Sequence, residues 1–203
     1  QSAQQGLVLS VVFDYGDFSV QSFHDLESLD FSRDLRKEQR IFGVMERFGF
    51  AKAFESEITI LSGVTERFFL RILPAFQKIG KVELSSALTE MHISEIPEIT
   101  IDQRGGLLDI AFDLPHVGEN ELADVIAKLQ ANAGYFVSKE GRFYQFDKKF
   151  DGLKSALKEL DDHFVITGNS IKVNANSSFQ VSKIFENTAG TSLSEKLILF
   201  LND

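Results

Sequence analysis

The chain has 203 residues, 43% of them hydrophobic and 25% charged, which is ordinary globular composition with room for one domain or two small ones. It has no cysteine, which excludes disulfides and thiolate metal sites, and no apolar run of about 18 residues that would span a membrane. The formal net charge of −9 is spread along the chain without a basic arm. A broad nucleic-acid-binding footprint is therefore excluded, and any such contact is local or is made by another part of a larger protein.

In the first half of the chain, apolar patterns predict strands and helices in alternation. The predicted elements are a strand over 7–13, a weaker strand over 18–23, a helix over 34–48, a strand over 51–61 and a helix over 64–79. Ser32 or Asp34 caps the first of these helices, and Gly49 ends it. Pro74 lies inside the second helix and predicts a kink there, or a break into two short helices.

The second half of the chain continues this alternation of strands and helices and adds hairpins. The predicted elements are a hairpin turning at 104–106, a helix from 118 to 134, a hairpin around 139–141, a helix starting at 151, a hairpin around 168–169, and a short helix from 177 or 178 to 190. Ser192 and Glu195 have the spacing of a capping box, which predicts a last helix after them. The chain therefore alternates strands and helices to its end.

These elements predict an α+β fold with mixed or antiparallel sheets and five to six helices. The order strand, helix, strand, helix occurs twice, so we expect two similar halves, residues 1–95 and residues 96–203 with the C-terminal helices. In each half a strand ending in Phe-Asp, at Phe13-Asp14 and at Phe112-Asp113, precedes a helix that ends at a glycine. Either a duplication or convergent α+β patterning explains this likeness.

No catalytic constellation is evident in the sequence. There is no glycine-rich loop with Lys-Ser/Thr to hold phosphates, and His24, His92, His116 and His163 lie too far apart to predict a metal site. Asp161-Asp162-His163 follows a predicted helix without a nucleophile motif beside it, which favours a solvated helix end. We therefore expect no catalytic residue, metal site or cofactor in this chain.

The predicted helix at 34–48 carries a stripe of basic side chains. At about 100° per residue, the stripe covers roughly a third of the helix circumference. Its members are Arg33, Arg36, Lys37, Arg40 and Arg47. One interpretation is a contact face for nucleic-acid phosphates or an acidic partner. The other is a solvated face on which Glu38 and Glu46 serve as local partners. The corresponding helix of the second half has only Lys128.

The same region carries a family resemblance. Arg33, Asp34 and Glu38 resemble the Arg-Asp-x-x-x-Glu helix entry of the bacterial Swi/Snf-type helicase-associated domain. A later block of that domain is similar at Phe112-Asp113, Glu121-Leu122, Tyr135-Phe136 and Gly141-Phe143. The resemblance covers roughly residues 30–160.

The resemblance implies a non-catalytic accessory domain that positions or regulates a bacterial Swi/Snf-family DNA-dependent ATPase. Its partners would be the motor domain of the same polypeptide and double-stranded DNA. ATP and Mg²⁺ would belong to that motor, an ATP-dependent DNA translocase, in the cytoplasm or at the nucleoid. Since the chain begins with Gln1 and stops on a helix, we expect it to be part of a longer protein. The alternative function is a protein–protein interaction module without nucleic-acid contact, which the charge of −9 favours.

Overall fold

The computed structural model describes residues 5–27, 32–60, 63–118, 120–160, 164–174, 178–185 and 188–202. The chain divides into two compact units, Gln1–Leu84 and Ser85–Asp203. Both mix helices with antiparallel or mixed sheets, so the predicted α+β class is confirmed. No helix in the described ranges is both long and apolar enough to cross a membrane.

The first unit is built on two small antiparallel sheets. Its elements are β1 (Gln5–Ser10), β2 (Phe13–Asp14), β3 (Ser19–Val20), α1 (Phe23–Glu27), α2 (Leu35–Phe48), β4 (Glu55–Ile60), α3 (Val64–Arg67), a π-helical turn (Phe68–Ile72) and α4 (Leu73–Gln77). β1 pairs with β4 over six residues, and β2 pairs with β3 as a short hairpin. The short helix α1 is additional to the predicted elements.

Phenylalanine rings dominate the core of this unit, and the exposed ring of Phe23 packs against two of them from the rim. Four of them pack mostly edge to face, with ring centroids between 5.1 and 6.1 Å apart: Phe13, Phe23, Phe42 and Phe54. Such edge-to-face pairs add to the hydrophobic gain because the positive rim of one ring meets the negative face of the next. Phe42 comes from α2 and Phe54 from the residue before β4, so this cluster joins the helix to the sheet.

Just before Pro74, where the sequence predicts a kink or a break, the helix contains a π-helical turn. The Leu73 N–H bonds the carbonyl of Phe68, five residues back, just before Pro74 opens α4. Proline lacks an N–H, and its ring would collide with the carbonyl four residues earlier in a regular helix. The wider turn accommodates that ring, so the helical backbone continues without a gap from Val64 to Gln77.

The second unit is larger and sheet-based. Its elements are α5 (Ser86–Met91), β5 (His92–Ile93), β6 (Glu98–Arg104), β7 (Leu107–Asp113), α6 (Leu122–Gln130), β8 (Tyr135–Val137), β9 (Phe143–Gln145), a 3₁₀ turn (Lys148–Phe150), α7 (Asp151–Leu160), β10 (Val165–Thr167), β11 (Ser170–Asn174), α8 (Ser178–Phe185), β12 (Thr191–Leu193) and α9 (Glu195–Asn202). The helix predicted from residue 118 begins four residues later, at Leu122.

A five-stranded sheet in the order β10-β11-β7-β6-β12 organises this unit, and all of its pairs except β12–β6 are antiparallel. Alternate residues on one face, such as Ile101 and Ile110, are paired across strands and fully buried. Helices α6, α7, α8 and α9 contribute to the same core cluster. The sheet is therefore covered on one face, as is common in antiparallel sheets.

The predicted hairpins of the second unit are confirmed. Gly105 and Gly106 both have positive φ, at 56° and 80°, which a two-residue turn of this kind between β6 and β7 requires. β8 and β9 pair around the turn at 138–142, and β5 joins β9 in parallel. β10 and β11 pair around Gly168 and Asn169.

The capping-box prediction at Ser192 is wrong. Ser192 lies in β12, and Ser194 caps α9 by accepting a hydrogen bond from the Leu197 N–H at 3.3 Å. The parallel pairing of β12 with β6, more than 90 residues earlier in the chain, draws Ser192 into the sheet. Ser177 and Asp161-Asp162-His163 lie outside the described residues.

The strands that end in Phe-Asp, one in each predicted half, have different pairing partners. In the first unit β2, which ends in Phe13-Asp14, pairs with β3, and β1 pairs with β4. In the second unit β7, which ends in Phe112-Asp113, pairs with β6 and β11. The division lies after Leu84, while the predicted halves meet at residue 95. Helix α5 and β5 lie between these two positions and belong to the second unit, since β5 pairs with β9.

The core of the second unit offers a stability test at α7. Leu157 is fully buried, so Leu157→Ala should lower the free energy of unfolding by about 2–5 kcal/mol through lost burial and a residual cavity. The neighbouring Lys158 is exposed, and Lys158→Ala should change it by less than about 0.5 kcal/mol. Urea denaturation measures both, and equal losses would contradict the packing of α7 described above.

Candidate functional site

Helix α2, which carries the predicted basic stripe, begins and ends where the sequence predicts. The Asp34 carboxylate accepts a hydrogen bond from the Lys37 N–H at 3.2 Å and caps the first turn. Gly49 adopts φ 92° and closes the last turn, with its N–H bonded to the Glu46 carbonyl. Both ends of α2 are thus satisfied by residues within the helix neighbourhood.

Glu38, in the first turn of α2, is a buried carboxylate with three hydrogen bonds. The residue is 4% exposed. Arg33 donates two of these hydrogen bonds, from Nε to Oε1 at 3.0 Å and from Nη2 to Oε2 at 2.5 Å. The Tyr15 hydroxyl donates the third, to Oε1 at 2.5 Å. Because an unpaired buried carboxylate is very costly, these contacts commit Arg33 to Glu38. We call Tyr15, Arg33 and Glu38 the Glu38 network.

The ionisation of this network follows from its geometry. The hydrogen bond from Arg33 lowers the pKa of Glu38, against the opposing effect of burial. Burial, followed by the hydrogen bond to Glu38, raises the pKa of Tyr15. The hydrogen bond to Glu38 also raises the pKa of Arg33. At neutral pH the network therefore holds one carboxylate, one guanidinium and one neutral phenol.

The other four basic residues of the stripe face solvent. Lys37 has an 83% exposed side chain and pairs with Asp34 at 3.3 Å. Arg36, Arg40 and Arg47 are exposed and make no ion pair with any residue that the structure describes. By helical geometry these three arginines lie within an arc of about 40°. We call Arg36, Arg40 and Arg47 the arginine face.

The structure thus separates the five predicted residues into two groups. Arg33, with a 30% exposed side chain, serves the Glu38 network, while Arg36, Lys37, Arg40 and Arg47 remain available for contact. Of the two acidic residues named as local partners, Glu38 pairs with Arg33, and Glu46 is exposed without an ion pair in the described part of the chain.

Two residues contact α2 in ways that the sequence patterns did not predict. Tyr15 lies in the turn between β2 and β3, 23 residues before Glu38, and no local pattern links the two. Arg67, in α3, reaches the Phe48 carbonyl at the end of α2 through a long hydrogen bond of 3.5 Å. A cation is favourable there because unpaired carbonyls make a helix C-terminus partly negative.

Charge is distributed unequally between the two units. Residues 1–84 contain 10 Lys and Arg against 12 Asp and Glu, whereas residues 85–203 contain 11 against 18. The first unit is therefore nearly balanced, and most of the net charge of −9 belongs to the second. The exposed arginines of α2 therefore lie in the less acidic of the two units.

The described histidines and the buried Tyr144 form no cluster of chemically reactive side chains. His92 stacks on Phe143, His24 and His116 are exposed, and His163 lies outside the described residues. Within the described ranges, no three His, Asp or Glu side chains are placed to hold a metal ion. Burial, and then the charge of Glu121, raises the pKa of Tyr144 to about 12, so this phenol stays protonated at neutral pH.

The Glu38 network predicts a pH-dependent contribution to stability. A carboxyl with a lowered pKa in the folded state stabilises the fold above its ordinary value of 4.5, and this contribution is lost as pH falls through the lower folded value. Glu38→Gln should lower the free energy of unfolding by about 2 kcal/mol at pH 7. The difference from the native chain should shrink below about pH 4.5.

Chemical denaturation between pH 3 and pH 8 measures this difference. Glu46→Gln, on the exposed side of the same helix, is the control and should leave the stability within about 0.5 kcal/mol at pH 7. A Glu38→Gln loss that stays constant down to pH 3 would show that the carboxylate contributes nothing through its charge.

A family model described as bacterial SNF2 helicase associated matches residues 1–202. No curated protein and no solved structure matches the chain. The resemblance seen over residues 30–160 is confirmed and extends over nearly the whole sequence. The chain belongs to the bacterial SNF2 helicase-associated family.

Proposed function

We propose that this chain is a non-catalytic accessory domain that positions or regulates a bacterial SNF2-family motor on DNA. The observation that carries the proposal is the family match over residues 1–202. The motor would be an ATP-dependent DNA translocase in the same polypeptide, and ATP and Mg²⁺ would bind there. The cytoplasm or the nucleoid is where such a protein would act.

We assign the contact with DNA to Arg36, Lys37, Arg40 and Arg47 on α2. Guanidinium groups match phosphate oxygens with two parallel hydrogen bonds, and exposed ones can make them without breaking an existing pair. We assign Arg33 a structural role instead. It holds Glu38 and so helps to fix the helix that presents the other four side chains.

A protein–protein interaction module without nucleic-acid contact is the second candidate function. The unequal charge supports it, since residues 85–203 carry 18 acidic against 11 basic side chains. Such a surface repels phosphate and suits a basic partner. The two candidates differ in salt dependence, because phosphate contacts release counterions from DNA and protein docking does not.

Neutralising two arginines tests the proposed contact. In the polypeptide that includes the motor, Arg36→Gln/Arg40→Gln should raise the Kd for duplex DNA and flatten the plot of log K against log salt by about 2, one for each lost phosphate contact. The Tm should be unchanged or slightly higher, since the substitution also removes a like-charged pair at i, i+4. The salt titration and the DNA-stimulated ATPase rate are the measurements.

Lys148→Gln/Lys149→Gln is the matched control, because both lysines are exposed in the second unit and the change in charge is the same. The control should keep the native slope. An unchanged slope in the arginine variant, together with weakened association between this domain and the motor, would favour the protein-interaction function instead.

A further inference from the structure

Gly43 stands exposed in the middle of α2, where the fold gives no reason for a glycine. A Cβ added there would meet no atom within 4 Å, and its φ lies outside the positive range that favours glycine. An interior helical glycine destabilises a helix relative to alanine, because it loses more backbone freedom on folding. Gly49 differs, since its φ of 92° ends the helix.

The glycine lies on the arginine face. At about 100° per residue, Gly43 projects within about 20° of Arg36, and along the axis it stands between Arg40 and Arg47. With a rise of 1.5 Å per residue, those two arginines are about 10 Å apart along the helix. The arginine face therefore has a notch at Gly43, with Arg40 about one turn before it and Arg47 about one turn after it.

A second local cost lies on the same face. Arg36 and Arg40 stand at i, i+4, and like charges at that spacing repel each other. Neither arginine is compensated by an ion pair within the described residues. Gly43 and the Arg36–Arg40 repulsion both lower the stability of α2, and no packing contact in the described part of the chain offsets them. Such uncompensated features on one exposed face are typical of binding surfaces.

We propose that the notch at Gly43 seats one sugar–phosphate strand of duplex DNA, with Arg40 and Arg47 holding phosphates on either side. This inference rests on the proposed function and specifies how α2 would meet DNA. The missing Cβ allows a rigid ridge of phosphates to approach the helix backbone closely. An acidic side chain of a protein partner can reach an exposed guanidinium from a distance, so it would not need the notch.

The test separates stability from binding at one position. Gly43→Ala should raise Tm by about 2–4 °C through improved helix propensity, while weakening binding to duplex DNA. Gly43→Gln fills the notch and should raise Kd by about tenfold, the scale of one lost charge-assisted hydrogen bond. Anisotropy titration of the whole chain with a labelled duplex of about 20 base pairs, at one fixed salt concentration, measures Kd.

Gly80→Ala is the matched control. Gly80 is also exposed, and a Cβ there would also meet nothing within 4 Å, but it lies outside α2. The control should leave Kd for DNA unchanged, and equal weakening by Gly80→Ala would overturn the assignment to the notch.

Two further outcomes would overturn the proposal in distinguishable ways. If Gly43→Gln binds DNA like the native chain while Arg36→Gln/Arg40→Gln still flattens the salt dependence, the notch is empty and the proposed DNA contact stands. If DNA binding is unchanged in both variants while Gly43→Gln weakens docking to the motor domain, the occupant is a protein and the DNA contact falls as well.

Discussion

The buried carboxylate of Glu38 determines how α2 is held in the first unit. A charge that is 4% exposed needs partners, and Arg33 and Tyr15 supply them. Because Tyr15 lies in the β2–β3 turn, the network also ties that hairpin to the helix. Glu38 and Arg36 are about 200° apart on the helix. Burying the first therefore turns the second towards solvent, so the arginine face follows from the network.

The second unit uses a buried glutamate in a related way. Glu121, 4% exposed just before α6, accepts hydrogen bonds from the Gly118 N–H at 3.0 Å and from the Lys139 N–H at 2.6 Å. Lys139 lies in the β8–β9 turn, so here too an acid at a helix start holds a hairpin turn. Glu38 and Glu121 both belong to the pattern that carries the family resemblance. That pattern therefore includes residues that hold helices and hairpin turns together.

Local signals explain what the sequence could predict. Backbone geometry within about five residues accounts for the cap at Asp34, the end at Gly49, the turn at Gly105-Gly106 and the π-helical turn before Pro74. The misses involve distant partners. The Arg33–Glu38–Tyr15 contacts depend on a hairpin 23 residues away, and β12 pairs with a strand more than 90 residues earlier. A basic stripe is visible from spacing alone, but which of its members is used internally depends on tertiary packing.

Arg33 and Arg36 show why that distinction matters for function. They are three residues apart and carry the same charge, yet Arg33 neutralises a buried acid whereas Arg36 is exposed and pairs with no described residue. Loss of Arg33 would leave Glu38 without its cation, which weakens the fold and only then any contact. Loss of Arg36 removes a repulsion and leaves the core intact. A change in binding caused by substitution of Arg33 would therefore reflect stability, whereas substitution of Arg36 tests a contact without disturbing the core.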